Sequence, residues 1–82
     1  MEFTYDPRYN IAYIRFGKKH GKIEVETIRI SDELNVDLAP DGTVYGIELL
    51  DANKQLKREH MNRVLVINEA TGERVELPLG IG

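Results

Sequence analysis

The 82 residues include no cysteine, so neither a disulfide nor a thiolate metal site can form. Tryptophan is also absent, and Ser31 is the only serine. No nucleophile sits beside a partnering base anywhere in the pattern, which leaves covalent catalysis without a visible centre. The longest aliphatic run, "VLVI" at Val64 to Ile67, falls far short of the ~20 residues that cross a bilayer. The opening "MEFTYDPRYN" has neither the basic region nor the apolar run of a secretory signal. Together these absences predict a soluble protein of a reducing, cytoplasmic compartment, with no membrane association and no cofactor. They also bear on stability. A chain this short buries only about 60–65% of its unfolded surface, which is marginal without staples. A homodimer is the expected remedy.

The formal charge is −3, which argues against sequence-independent binding to phosphate backbones. Its distribution is uneven. Residues 31–51 carry six acids and no base, whereas 52–63 carry four bases and one acid. Internal or subunit pairing explains that asymmetry more simply than a nucleic-acid site. Within 54–63, Lys54, Lys57 and Arg58 share one helical face, the only nucleic-acid cue in the chain.

Most of the sequence repeats with a period of two. "EFTY" alternates, and "DPRYN" supplies a turn through Asp6 and Pro7. "IAYIRF" is apolar at both parities, the pattern of a strand buried on both faces. "KIEVETIRI" alternates until Thr27, where Ile28 and Ile30 take the opposite parity and a bulge is expected. "LNVDL" and "TVYGIELL" flank the turn "APDG". After Asp51, a plausible N-cap, the helix formers of 52–61 predict one short helix. "RVLVINEATGERVELPL" reads as a hairpin about "EATGE", with Pro78 at an edge or strand end. The expected fold is mainly β (α+β): a single domain over 1–82, with a small antiparallel sheet of about seven short strands and one helix.

"DLAPDGTVYGIE" places Asp37, Asp41, Gly42 and Glu48 in register with a twelve-residue calcium loop. Such a loop needs a helix on each side, and both flanks here are β-branched with period two. A turn accounts for "PDG": Pro40 fixes φ, Asp41 tolerates the turn, and Gly42 accepts positive φ. Asp37, Asp41 and Glu48 are therefore metal candidates in name only. Two hairpin registers are open. A three-residue loop pairs Val36 with Gly46. A four-residue loop pairs Val36 with Ile47, Leu38 with Tyr45 and Leu34 with Leu49, gathering the apolar side chains on one face, and is favoured for that reason. It also sets Asn35 opposite Glu48 with Asp37 diagonal to it.

The segments "YDPRYNIAYIRF" and "LNVDLAPDGTVYGIELLDA" resemble a prokaryotic family known as domain of unknown function 2283. Its members open on "YD-x-x-x-D-x-x-Y-I-R" and close on "D-x-D-x-D-G-x-x-x-G-I-E". The resemblance covers Phe3 to Ala52 and implies a small β-rich fold with no established activity. Asn10 stands where the family usually has Asp, and Ala39 where it often has another acid.

Three functional readings follow. The leading one is a non-catalytic interaction module that self-associates and binds a partner protein, with Tyr13 and Tyr45 at the contact, because tyrosine buries area while its tip stays wet. The second is a metal- or ligand-dependent enzyme using a patch of Asn35, Asp37 and Glu48. The third is nucleic-acid binding through 54–63. "GKKHG" adds an anion cradle of Lys18, Lys19 and His20, although it lacks the spacing of a phosphate loop.

Overall fold

Alternation decides the faces of the principal sheet. The structure, a computed structural model, describes residues 1–17, 23–56 and 63–78. Five strands pair in the order β1-β2-β5-β4-β3, all antiparallel: β1 Glu2–Asp6, β2 Ile11–Arg15, β3 Glu26–Ser31, β4 Leu34–Leu38 and β5 Val44–Leu50. A short helix, α1, spans Ala52–Gln55, and a separate two-stranded sheet joins β6 Arg63–Ile67 to β7 Arg74–Pro78. The fold is mainly β, with seven short antiparallel strands among the described residues. The chain divides into two compact units, Met1–Ala52 and Asn53–Gly82.

In the first unit, cross-strand pairing carries like residues to like. Phe3, Ile14, Ile47, Val36 and Ile28 form one continuous row, and Tyr5, Ala12, Leu49 and Leu34 form the next. Residues of the other parity, among them Thr4, Tyr13, Glu48, Asn35 and Arg29, make an equally continuous polar row on the opposite face. One face is apolar and the other polar, as an antiparallel sheet permits. Ala12 and Ala52 are the only buried hydrophobic residues among those described.

That burial pattern corrects the reading of "IAYIRF" as a strand buried on both sides. Its second parity serves the polar face, where Tyr13 and Arg15 stand, and Phe16 is exposed. The slip expected near Thr27 is real but lies later, between Arg29 and Ser31, and leaves Ile30 outside the ladder. β3 starts only at Glu26, so Ile23 and Val25 do not belong to it.

At the β4–β5 hairpin both expected registers occur in succession. Ala39 N donates to Thr43 O and Leu38 pairs with Val44, closing a three-residue loop with Gly42 at φ 86°. Tyr45 is then bulged out, and from Asp37–Gly46 inward the ladder runs in the other register, pairing Val36 with Ile47 and Leu34 with Leu49. The expected pair of Leu38 with Tyr45 is thus replaced. Turn geometry fixes the loop, and burial of one apolar face fixes the body of the ladder.

The connection out of β5 is equally local. Asn10 and Asp51 both take left-handed backbone, φ 55° and 52°, a conformation that Asn and Asp tolerate better than other residues with a Cβ. Asn10 Nδ2 donates to Asp51 Oδ1, Tyr5 Oη donates to Asn10 Oδ1, and Ala52 N donates to Asn10 O. Asp51, expected to cap a helix of 52–61, directly precedes α1 and ties the β1–β2 turn to the end of β5. α1 ends at Gln55, and residues 57–62 lie outside the described residues.

The second unit is a hairpin whose turn follows the sequence closely. Asn68 N donates to Glu73 O, and Gly72 at φ 77° accepts the left-handed position within "EATGE". Pro78 pairs with Arg63 at the strand end, where a missing N–H costs least. Val64, Val66, Val75 and Leu77 share one face and are exposed.

Candidate functional site

Glycine at position 46 organises the polar face. It lies between Arg15 of β2 and Asp37 of β4, the one residue of β5 without a side chain. A Cβ there would overlap the Tyr13 hydroxyl, so the missing side chain is the space through which Tyr13 crosses β5. Tyr13 Oη then donates to Asp37 Oδ2 at 2.7 Å, and Thr27 Oγ1 on β3 donates to Asp37 Oδ1 at 2.6 Å. One carboxylate joins strands β2, β4 and β3, and each of its oxygens is engaged. Beside it, Asn35 Nδ2 donates to Glu48 Oε1 at 3.1 Å.

The electrostatics fit a fixed lattice rather than a proton relay. Burial, and then the bond to Asp37, holds the Tyr13 phenol well above its usual value near 10, with Tyr45 and Glu48 adding to the shift. Tyr13 therefore remains a donor at neutral pH and cannot act as a base. Tyr45 occupies the bulge beside Gly46. Its ring approaches to within 2.9 Å of where a Gly17 Cβ would stand, and its carbonyl accepts from both Phe16 N and Gly17 N. Thr4, Asp6, Arg8, Ile11 and Tyr13 border an open depression at the β1 side of this face. There, side-chain bonding from Arg8 holds the Asp6 carboxyl below its usual range.

The candidates separate cleanly by position. Asn35, Asp37 and Glu48 are brought together as the sequence suggested. Asp41 lies at the hairpin tip, where its Oδ1 accepts from Thr43 N and Thr43 Oγ1, bonds that lower its pKa. Asp37, Asp41 and Glu48 thus serve three different local purposes. No group of three His, Asp or Glu residues suited to a metal ion forms among the described residues. The stretch that mimicked a calcium loop is the β4–β5 hairpin. Lys18, Lys19 and His20 lie outside the described residues, as do Lys57 and Arg58 of the basic segment. Arg63, from the end of that segment, pairs with Glu76. Tyr13 belongs to the polar side of the sheet, and Tyr45 stands in the bulge with its ring against Gly17. Sequence reasoning missed Thr27, Arg15 and the Asn10–Asp51 clamp. The isolated glycine of "VYGIE" was the available signal for the crossing of Tyr13.

These features define a class: a small antiparallel β protein whose sheet has one hydrogen-bonded polar face and one mainly apolar face. The chain belongs to the family described as protein of unknown function (DUF2283), whose sequence profile matches residues 2–53. That span takes in both quoted motifs and reaches to the end of the first unit. The two motifs meet physically, because the tyrosine of "Y-I-R" is seated on the glycine of "G-I-E". No curated protein and no solved structure matches the chain. No helix among the described residues is long and apolar enough to cross a membrane.

Proposed function

We propose that this protein is a non-catalytic interaction module that self-associates by stacking the apolar face of its five-stranded sheet on that of a second copy. One observation carries the reading: the rows Phe3–Ile14–Ile47–Val36–Ile28 and Tyr5–Ala12–Leu49–Leu34 lie on one face, yet only Ala12 among them is buried. The described residues of the first unit form a single layer of strands, whereas stable domains bury such a face against a second layer. The two rows hold no charged side chain, and Glu26, opposite Leu38 at the margin of the same face, is an acid that a second copy must accommodate. Five strands ~4.8 Å apart and five residues long at ~3.3 Å per residue give a face of about 400 Å² in projection. Side-chain relief raises the accessible area towards the ~600 Å² per partner at the low end of stable interfaces. Aligned stacking of twisted sheets about a two-fold axis is the geometry available to identical faces. The interface then lies opposite Tyr13.

Sedimentation equilibrium at micromolar concentration tests this, together with thermal melts over a hundredfold range of protein concentration. A dimer is expected, with a midpoint that rises with concentration. Val36→Lys, at the centre of the face, should remove both behaviours. A wild-type monomer whose cooperative melt ignores concentration sinks the reading, whether or not the variant folds.

A further inference from the structure

Among the described residues, the polar face contains a charge that is incompletely engaged. Arg15 stands at the end of β2, opposite Glu2 on β1 and Gly46 on β5. Its side chain is only 18% exposed. Nη2 meets Glu2 Oε2 at 3.3 Å, while Nε and Nη1 are buried and reach no acceptor among the described residues. The other carboxylates of the lattice accept from other donors, Asp37 from Tyr13 and Thr27 and Glu48 from Asn35. A guanidinium presents two forks, Nε with Nη2 and Nη1 with Nη2, each matched to two oxygens of a carboxylate or phosphate. Glu2 takes only the nitrogen common to both forks, through one long contact, and its own side chain is 57% exposed. A buried donor without an acceptor is costly, and more so on a charged group.

We infer that Arg15 is an oxyanion receptor. A carboxylate or phosphate displaces the Glu2 side chain from Nη2, which opens the edge of the guanidinium, and takes a whole fork, engaging at once the nitrogen Glu2 held and a buried one that has no acceptor. Glu2 is then a resident competitor that swings aside into solvent. The site goes beyond self-association, because Arg15 lies on the face opposite the apolar one.

The test is NMR titration of the full-length protein with inorganic phosphate and, separately, with acetate, following the Arg15 Nε–H and the backbone amides of Tyr13 and Gly46. A saturable shift is expected in both sets of signals, and the ion that binds tighter assigns the phosphate or the carboxylate chemistry. Glu2→Gln removes the competitor's charge and should tighten binding at least threefold. Arg15→Lys keeps the charge but loses the fork, and should weaken the response at Tyr13 and Gly46 at least tenfold. Unchanged affinity in Arg15→Lys overturns the assignment. Should that variant not fold, Glu2→Gln decides: no saturable Nε–H shift with either ion, in wild type and Glu2→Gln alike, overturns it.

Discussion

On one side of the sheet, Ile14, Ile47 and Val36 meet across three strands with no polar atom in their side chains; on the other, Tyr13, Asp37 and Thr27 span β2, β4 and β3 through two hydrogen bonds to one carboxylate. The two faces share a backbone and differ in what a second molecule can add. Apolar contact is non-directional and scales with area, so the first face gains from any matching surface laid upon it. Hydrogen bonds are directional and saturable. Each oxygen of Asp37 already accepts one bond, and among the described residues Arg15 Nε and Nη1 reach no acceptor.

The comparison is sharpest where the polar face depends on one missing side chain. Gly46→Ala places a methyl group on the Tyr13 hydroxyl and forces the ring away from Asp37, at a cost of about 3 kcal/mol from overpacking and the lost bond. Urea unfolding measures it, and sedimentation should show assembly unaltered at concentrations where the protein stays folded. A loss below ~0.5 kcal/mol would mean that the ring does not need the gap.

Asp37→Ala comes next. It removes the acceptor of the part-buried Tyr13 hydroxyl and of the exposed Thr27 hydroxyl and should cost about 2 kcal/mol, against about 1 kcal/mol for Tyr13→Phe, which removes a single donor. Equal losses would show that Thr27 contributes nothing to the brace. Tyr13 adds a pH dependence of known sign. Its phenol titrates higher in the folded chain than in the unfolded one, so stability is intact below the ordinary value near 10 and falls as pH rises past it. Tyr13→Phe should flatten that alkaline limb.

The smallest effect belongs to Asp41 at the exposed hairpin tip. Its folded pKa is depressed by Thr43, so its contribution is present above the ordinary carboxyl value near 3.9 and is lost as pH falls through the lower folded value. Asp41→Ala should slightly reduce the acid sensitivity of the melting midpoint and leave both faces unaltered. A change in the Tyr13 alkaline limb in this variant would show that the tip and the lattice are coupled.

Much of this architecture was legible because alternation in an antiparallel sheet is a direct record of which side chain faces which way. The seven strands, the hairpin at "EATGE" and the pairing of Val36 with Ile47 follow from period, turn residues and the gain from gathering apolar groups. "IAYIRF" was misread because tyrosine counts as apolar in a pattern, yet Tyr13 uses its ring to cross a glycine and its hydroxyl to reach Asp37. The hairpin at 39–44 was misread in part because two rules compete there, and a bulge at Tyr45 lets both hold. Asn35 and Glu48 could be placed together from register alone. Thr27 could not, since its partnership with Asp37 depends on how β3 pairs with β4 after the slip in its alternation.

The sequence by itself therefore determined the secondary elements, the antiparallel class and the division of one sheet into an apolar and a polar side, because these rest on interactions between near neighbours and on a period of two. Only the tertiary structure decided which polar groups engage one another. Whether Tyr13 crosses Gly46 to Asp37, whether Asn10 clamps Asp51 some forty residues away, and whether Arg15 finds acceptors for all its nitrogens are questions of strand order and of distances of a few tenths of an ångström. No local pattern encodes them, because each contact joins residues whose separation along the chain is set by the fold and not by any repeat.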